Sequence, residues 1–154
     1  MKVDIVGIKN IEKTIERMGQ VPIKHVSAAA RMGMNKPLSK AKRDAPKDTG
    51  ALRKGMKLIK ESSKLWRYGK RVYRVGFDPK MNDVFQTINL KGENVGYYPI
   101  SQEYGWITQS GNTVPAKHFI TDAYNEKQEV IQSTITDEMA KRLTAEIKKG
   151  GLAK

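Results

Sequence analysis

Cysteine is absent from the 154-residue sequence, and histidine occurs only twice. Without cysteine the chain can form neither a disulfide nor a thiolate metal site. No apolar run approaches the roughly 20 residues that a membrane-spanning helix requires. The first residues also lack the apolar core and cleavage site of a signal peptide. We therefore expect a protein that is cytosolic, or at least made and used without export, and that has no membrane partner.

Apolar and aromatic residues are also scarce, at 38% and 7% of the chain. A chain of this length forms about one domain. With so little apolar material the core should be small, and part of the surface should await a partner. We predict a single domain over residues 1–154, with 150–154 as a disordered tail.

Positive charge is concentrated in the first half of the chain. Residues 1–76 hold 20 Lys and Arg against 6 Asp and Glu, whereas residues 77–154 hold 9 against 10. The window 36–74 alone holds 14 basic and 3 acidic residues. This density indicates a polyanionic neighbour, an acidic partner surface or an oligomer facing negative charge. A solvated face that keeps the protein soluble explains it equally well.

Helical spacing dominates the start of the chain. Asn10 is a good N-cap for a helix over 11–18 that Gly19 would end. Pro22 suits the first turn of a second helix, within which Pro37 should cause a kink or a split. The predicted apolar face of this second helix comprises Ile23, Val26, Ala30, Met34, Leu38 and Ala41.

The segment 45–53 should end this basic helix, turn the chain and restart it as a strand. Pro46 disfavours helical geometry at Ala45. Asp48 and Thr49 can bond to their own downstream backbone, and Gly50 tolerates the φ values of a tight turn. Extended chain is then predicted up to residue 68, followed by a two-residue hairpin turn at Gly69-Lys70.

This turn sets a predicted strand register. The expected opposing pairs are Trp66 with Tyr73, Lys64 with Val75, and Ser62 with Phe77. In this register Trp66, Tyr73, Val75 and Phe77 share the core face.

The second half of the chain is predicted to contain a loop, a strand and a helix. Residues 78–96 are polar and weakly periodic, which indicates a long flexible loop or arm. Residues 97–106 have strand character, and 109–113 form another flexible turn. Helical spacing from Phe119 to Lys149 predicts a long final helix that Gly150 ends. The expected fold class is α+β, with a small antiparallel sheet of about four strands packed against long N-terminal and C-terminal helices.

Catalytic chemistry is not indicated by the sequence. His25 or His118 could pair with a carboxylate such as Glu103 or Asp122, but such a histidine is more often structural. The acidic residues at the start of the last helix interact favourably with the helix dipole. This interaction explains their position better than a metal site does. We expect no enzymatic activity and no cofactor.

Aromatic and basic residues alternate over 64–74, as they do in some nucleic-acid binders. Trp66 and Tyr68 would then stack on bases while the neighbouring Arg and Lys contact phosphates. In the competing interpretation the aromatic side chains pack inward and the basic ones face solvent. A nucleic-acid-binding module based on the 66–74 hairpin remains the alternative function.

Four motifs in a fixed order resemble a known family. They are Ala45-Pro46-Lys47-Asp48-Thr49-Gly50-Ala51-Leu52-Arg53 after a long helix, Val75-Gly76-Phe77 at a strand end, Tyr97-Tyr98-Pro99 with Gln102-Glu103-Tyr104-Gly105, and Pro115-Ala116-Lys117-His118-Phe119-Ile120 before the last helix. This order resembles the head–tail joining or tail-completion proteins of long-tailed bacteriophages and prophages. The resemblance covers about residues 20–147. Two departures are the long 78–96 segment and His118, where the family often has proline.

The resemblance implies a non-enzymatic virion protein. Copies would form a ring at the neck, between the head connector and the tail, with DNA passing through the lumen without sequence-specific contact. Before assembly the protein would reside in the host cytoplasm. Glu103 and Tyr104 would lie on the fourth strand, and Arg53 could also reach a neighbouring subunit.

Three sets of residues are the candidate functional positions. The junction motif is Asp48, Thr49, Gly50, Leu52 and Arg53. Residues that could contact a partner or a polyanion are Lys40, Lys42, Arg43, Lys54, Arg67, Lys70, Arg71 and Arg74. The apolar residues of the expected assembly arm are Met81, Val84, Phe85, Ile88 and Leu90.

Overall fold

The computed structural model describes residues 8–61, 71–108 and 110–149, and within the first helix it describes side chains from His25 onward. The fold is α+β. The helices are α1 (Ile8–Asp44), α2 (Ala51–Gly55), α3 (Asn82–Phe85), α4 (Tyr98–Tyr104), α5 (Phe119–Glu126) and α6 (Gln128–Lys149). The strands are β1 (Met56–Lys60), β2 (Tyr73–Phe77), β3 (Gln86–Ile88), β4 (Asn94–Tyr97), β5 (Trp106–Ile107) and β6 (Thr113–Val114). The expected class and the long terminal helices are confirmed.

Helix α1 runs without interruption through Gly19 and Pro37, so the predicted end at Gly19 was wrong and, of the two outcomes predicted at Pro37, a split does not occur. Pro37 removes one backbone hydrogen bond, but it is fully buried. It belongs to a buried stripe at four-residue spacing that consists of Ala29, Gly33, Pro37, Ala41 and Ala45. A Cβ at Gly33 would lie 2.6 Å from Ile135 Cγ1. Close packing of α1 on α5 and α6 therefore outweighs the local helix-breaking tendency.

Helix α6 returns antiparallel to α1, with Glu146 beside His25 and Ile135 beside Gly33. The predicted final helix does begin at Phe119 and continue to Lys149, but it is broken at Lys127 into α5 and α6. The predicted tail at 150–154 lies outside the described residues.

A short helix replaces the strand that was expected directly after Gly50. Gly50 has φ 75°, and the Thr49 hydroxyl accepts a hydrogen bond from the Ala51 N–H at 3.3 Å. These features start α2, which places Leu52 in the core at 2% exposure. Strand β1 begins only at Met56.

Strands β1 and β2 are antiparallel, but the predicted register was wrong. Phe77 lies opposite Met56, Val75 opposite Leu58 and Tyr73 opposite Lys60. The predicted partners on the first strand and the turn at Gly69-Lys70 lie outside the described residues. The expected inward face of β2 is confirmed for Val75 and Phe77, which pack against the core.

The segment 78–96 is not a long irregular loop. It contains a 3₁₀ turn (Pro79–Met81), α3, β3 and most of β4. Phe85 is fully buried, and its ring makes edge-to-face contacts with Phe77 at 5.5 Å and Tyr97 at 5.9 Å. This segment therefore supplies the largest fully buried side chain of the described residues.

Residues 98–104 form α4 where a strand was predicted, so Glu103 and Tyr104 are helical. The described strands pair as three separate two-stranded antiparallel sheets, β1-β2, β3-β4 and β5-β6. In place of the single sheet of about four strands that was expected, the described residues form three two-stranded sheets. The core cluster joins α1, α2, β1, α3 and α5 through Ala41, Ala45, Ala51, Leu52, Met56, Phe85, Phe119 and Ala123.

Candidate assembly surfaces

The junction motif holds the end of α1 against α2. Arg53 donates a hydrogen bond from Nη2 to the Arg43 carbonyl at 2.7 Å. That carbonyl lies in the last turn of α1, where helical acceptors lack intrahelical partners. The Lys54 N–H donates to the Gly50 carbonyl at 3.1 Å. Thr49, Gly50, Leu52 and Arg53 therefore stabilise this junction from within the chain.

Asp48 does not share this role. Its side chain is exposed, and no hydrogen bond to its carboxylate is formed by any described residue. Its negative charge lies close enough to Tyr98 to act on the phenol. Burial, and secondarily the charge of Asp48, raises the pKa of Tyr98.

Glu103 caps the N-terminus of α5 from a distant part of the chain. Its carboxylate accepts hydrogen bonds from the Ile120 N–H at 2.9 Å, the Thr121 N–H at 2.9 Å and the Thr121 hydroxyl at 2.7 Å. Glu103 is only 4% exposed. A carboxylate at a helix N-terminus satisfies unpaired N–H groups and interacts favourably with the helix dipole. The Glu103 carboxylate therefore has a structural role as the cap of α5.

Backbone contacts reinforce this link between α4 and the start of α5. The Lys117 N–H donates to the Gln102 carbonyl at 3.0 Å, and the His118 N–H donates to the Glu103 carbonyl at 3.1 Å. Gly105 has φ 75°, and a Cβ there would lie 2.5 Å from the Val114 carbonyl oxygen. The two motifs that contain Gln102-Glu103-Tyr104-Gly105 and Lys117-His118-Phe119-Ile120 therefore form one interlocked unit.

This capping role could have been suspected from the sequence. His118 occupies the N-cap position with φ 46° and provides no side-chain cap for α5. A helix that starts without a local Ser, Thr, Asp or Asn cap needs an acceptor from elsewhere. The acceptor itself lies 17 residues away from Ile120, which no local pattern could identify.

The expected histidine–carboxylate pairs have a different arrangement. The Glu103 carboxylate is occupied by α5, and the His118 ring instead contacts the Tyr104 ring edge-to-face at 6.3 Å. His25 Nε2 lies 3.4 Å from Glu146 Oε1, between α1 and α6. Within the described ranges, no group of three or more His, Asp and Glu side chains is arranged to hold a metal ion. In the same ranges, no helix combines the length and apolar character needed to cross a membrane.

Lys40 was expected to contact a partner, but it is engaged within the chain. Its Nζ lies 2.7 Å from Asp44 and 2.9 Å from Glu126, and its side chain is 13% exposed. The hydrogen bonds to these carboxylates raise the pKa of Lys40, and the bond from Lys40 lowers the pKa of Asp44. Lys40 thus bridges α1 and α5.

The other basic candidates differ in how available they are. Arg43 and Arg74 have side chains that are 69% and 65% exposed, and Lys54 is also exposed. Arg74 approaches Glu61 only at 4.0 Å, and Arg71 has a partner within the protein. Arg67 and Lys70 lie outside the described residues.

Lys42 lines a groove between α1 and β1 that we call the basic groove. Its volume is about 490 Å³. The lining residues are Arg31, Asn35, Leu38, Lys42, Met56, Lys57, Leu58, Lys60 and Tyr73.

The residues of the expected assembly arm divide between the core and the surface. Phe85 is in the core, and Met81 is partly buried and packs against it. Val84, Ile88 and Leu90 are exposed by 55%, 60% and 108%.

A second groove, which we call the apolar groove, lies beside the exposed part of this segment. Its volume is about 830 Å³. It is lined by Thr87, Val95, Gly96, Tyr98, Ser101, Trp106, Ile107, Thr108 and Ser110. Val95 and Ile107 are 61% and 73% exposed, although both are large apolar residues. On α4, Ile100 and Tyr104 are also exposed.

Searches against known protein families, curated proteins and solved structures find no match to this chain.

Proposed function

We propose that this protein is a structural subunit of a tailed bacteriophage or prophage, which joins the head connector to the tail as a neck or tail-completion ring. In this role it performs no catalysis and needs no cofactor. Its partners are other copies of itself and the adjoining connector and tail proteins, and the DNA passes through the lumen of the ring. The finished location is the virion neck.

The structural role of the four motifs supports this proposal. The segment 45–53 joins α1 to α2 through Arg53, and Glu103 joins α4 to α5. Motifs that hold elements together suit a subunit whose function depends on shape. The resemblance to the neck proteins rests on these same residues.

The apolar groove is the observation that carries the proposal. Most of the exposed large apolar residues among the described ones lie between Val84 and Ile107. Monomeric proteins rarely leave large contiguous apolar patches in water, and such patches commonly mark interaction surfaces. A partner that covers Val95 and Ile107 would remove this exposure.

A second copy of the chain fits this surface because the two halves of the protein differ in charge. The first half is strongly basic, whereas residues 77–154 hold 9 basic and 10 acidic residues. Contact between unlike faces of neighbouring copies avoids the repulsion of two basic faces. Such a head-to-tail interface is the kind that closes into a ring.

Complementation of a gene deletion tests this function. Ile107→Glu places a charge in the apolar groove, and Ile147→Glu makes the same change at a residue of α6 that is 39% exposed. In a host that lacks the gene, the wild-type and Ile147→Glu genes should restore joined particles, and Ile107→Glu should yield separate heads and tails. Circular dichroism of both variants verifies folding. Equal restoration by both variants would exclude the apolar groove as the assembly surface.

Nucleic-acid binding is the second candidate function, and the exposed guanidinium groups of Arg43 and Arg74 favour it. Trp66 and Tyr68, which would stack on bases, lie outside the described residues. A dedicated DNA binder should lose affinity steeply as salt is added. A protein that stays monomeric and binds DNA tightly at physiological salt would support this function over the neck ring.

A further inference from the structure

We propose that the basic groove binds an extended acidic segment of a partner protein, which adds as a strand to the outer edge of β1. This site is independent of the apolar groove and of the neck function. Its walls are α1 and β1, and Tyr73 of β2, which lies opposite Lys60, lines one end.

The β1 wall of the groove is a strand edge. Met56 and Leu58 point to one face of the strand and Lys57 to the other, yet all three line the groove. The groove therefore reaches the edge of β1 at Lys57. No strand pairs with this edge among the described residues, since β1 pairs with β2 alone.

The hydrogen bonds of the hairpin show which backbone groups face outward. The Asp78 N–H donates to the Gly55 carbonyl at 2.7 Å, and the Glu61 N–H donates to the Val72 carbonyl at 3.1 Å. Bonding alternates along an antiparallel pair, so the backbone groups of Leu58 point away from β2. The Met56 N–H is used by the Leu52 carbonyl, which leaves the Met56 carbonyl facing the same edge.

The α1 wall presents a matching length of side chains. Arg31, Asn35, Leu38 and Lys42 are spaced by four, three and four residues and so share one helix face. At a rise of 1.5 Å per residue they span about 16 Å. Strand β1, at about 3.3 Å per residue, has nearly the same length. The groove therefore accommodates about five residues of extended chain.

The side chains of the walls define the occupant. Arg31 and Lys42 stand at opposite ends of the α1 wall, and neither forms an ion pair with a described residue. Leu38 and Leu58 provide an apolar surface between them. In an extended peptide every second side chain faces the α1 wall. A peptide whose groove-facing positions are acidic at both ends and apolar between them can bond to the strand edge, bury its apolar side chain against Leu38 and Leu58 and approach the two cations.

A nucleic-acid backbone matches this groove less well. Phosphates would interact with Arg31 and Lys42. A nucleic-acid backbone, however, cannot form strand hydrogen bonds with Leu58 and has no apolar side chain to place on the apolar wall. A peptide uses all three features of the groove.

The test uses the full chain and a fluorescein-labelled, capped pentapeptide of sequence Asp-Ser-Val-Ser-Asp, which presents two aspartates and the valine between them on one side of the strand. Fluorescence anisotropy should show binding by the wild-type protein. The double variant R31E/K42E should weaken binding by at least about tenfold, because two cations of the site are reversed. The matched control K91E/K141E changes the net charge equally at exposed positions outside the groove and should bind like wild type.

Strand addition has its own readout. N-methylation at every second residue removes the N–H donors on one side of an extended peptide. A peptide methylated on the side that faces β1 should therefore fail to bind, and a peptide methylated at the alternate residues should bind. The amide resonance of Leu58 should shift only with peptides that bind. Equal binding of both methylated sets, equal weakening in both double variants, or no binding by the wild-type protein would overturn the proposal. Binding of short duplex DNA that R31E/K42E alone abolishes, without peptide binding, would assign the groove to nucleic acid instead.

Discussion

The carboxylate of Glu103 accepts hydrogen bonds from both the backbone N–H and the hydroxyl of Thr121, at 2.9 and 2.7 Å, across 18 residues of sequence. The same carboxylate also binds the Ile120 N–H. One buried side chain thus ties α4 to the start of α5. The apolar groove includes residues of α4 and residues on both sides of it, so this network links the element beside the groove to the helical core.

Removal of this cap should destabilise the fold. Glu103→Ala leaves two backbone donors and a hydroxyl without their acceptor, and we expect a loss of about 2–4 kcal/mol in the free energy of unfolding. Glu103→Gln retains one acceptor oxygen and should lose less. Urea denaturation measures both. The control is Glu129→Ala, which changes an exposed carboxylate in the first turn of α6 and should cost under about 0.5 kcal/mol. Equal effects of Glu103→Ala and Glu129→Ala would contradict the capping role.

Gly105 should tolerate no side chain. Gly105→Ala introduces a Cβ at φ 75° and 2.5 Å from the Val114 carbonyl oxygen. Gly111→Ala is the matched control, because its φ is 82° but no atom lies within 4 Å of the added Cβ. Backbone strain alone costs about 1–2 kcal/mol, so Gly111→Ala should lower the free energy of unfolding by this amount. Gly105→Ala should lower it clearly more. Thermal denaturation compares them, and similar losses would show that the close approach to Val114 is unimportant.

Arg53 should contribute to stability through its bond to the Arg43 carbonyl. Arg53→Ala removes this donor, and we expect a loss of about 1–2 kcal/mol. Lys54→Ala changes the neighbouring exposed cation and should have little effect. Chemical denaturation of the two variants separates these outcomes. If Arg53→Ala has the stability of wild type but no longer supports particle assembly, Arg53 instead acts on a neighbouring subunit.

Acid should weaken the fold through Asp78. The hydrogen bond from Lys57, followed by the Lys80 backbone N–H, holds the pKa of Asp78 below its ordinary value of 3.8. A carboxyl whose pKa is lowered on folding stabilises the protein above its unfolded pKa, and this contribution is lost as the pH falls through the folded pKa. The difference in melting temperature between wild type and Asp78→Asn should therefore shrink as the pH falls from about 5 to about 2.

Asp83→Asn is the control for this pH dependence, because Asp83 is exposed and forms no ion pair with a described residue. Its difference from wild type should change less over the same range. A pH-independent difference for Asp78→Asn would show that the Lys57–Asp78 contact does not contribute to stability.

Local signals in the sequence were sufficient for several helix ends. Pro46 correctly predicted that α1 ends before it, and helical spacing correctly predicted a helix start at Phe119 and an end at Lys149, although not the break at Lys127. The helix α4 had signals that were overlooked: Pro99 in its first turn and Gly105 directly after its end. These are typical of a helix start and a helix stop. The strand-forming residues around them favoured the wrong element because the segment is short.

Contacts between distant elements could not be predicted in this way. Pro37 continues α1 because α5 and α6 pack against its buried stripe, and no local rule expresses that packing. The predicted apolar face of α1 included Ala30 and Met34, whereas the buried stripe passes through Ala29 and Gly33. The apolar groove was missed because polarity patterns do not reveal that Val95 and Ile107 remain exposed after folding.

Electron cryomicroscopy of particles purified from the host tests the central claim most directly. The neck proposal predicts a closed ring of this chain between the head connector and the tail, with the apolar groove of each copy covered by the next. Absence of the chain from particles with intact, joined heads and tails, or its location away from the neck, would contradict the proposal.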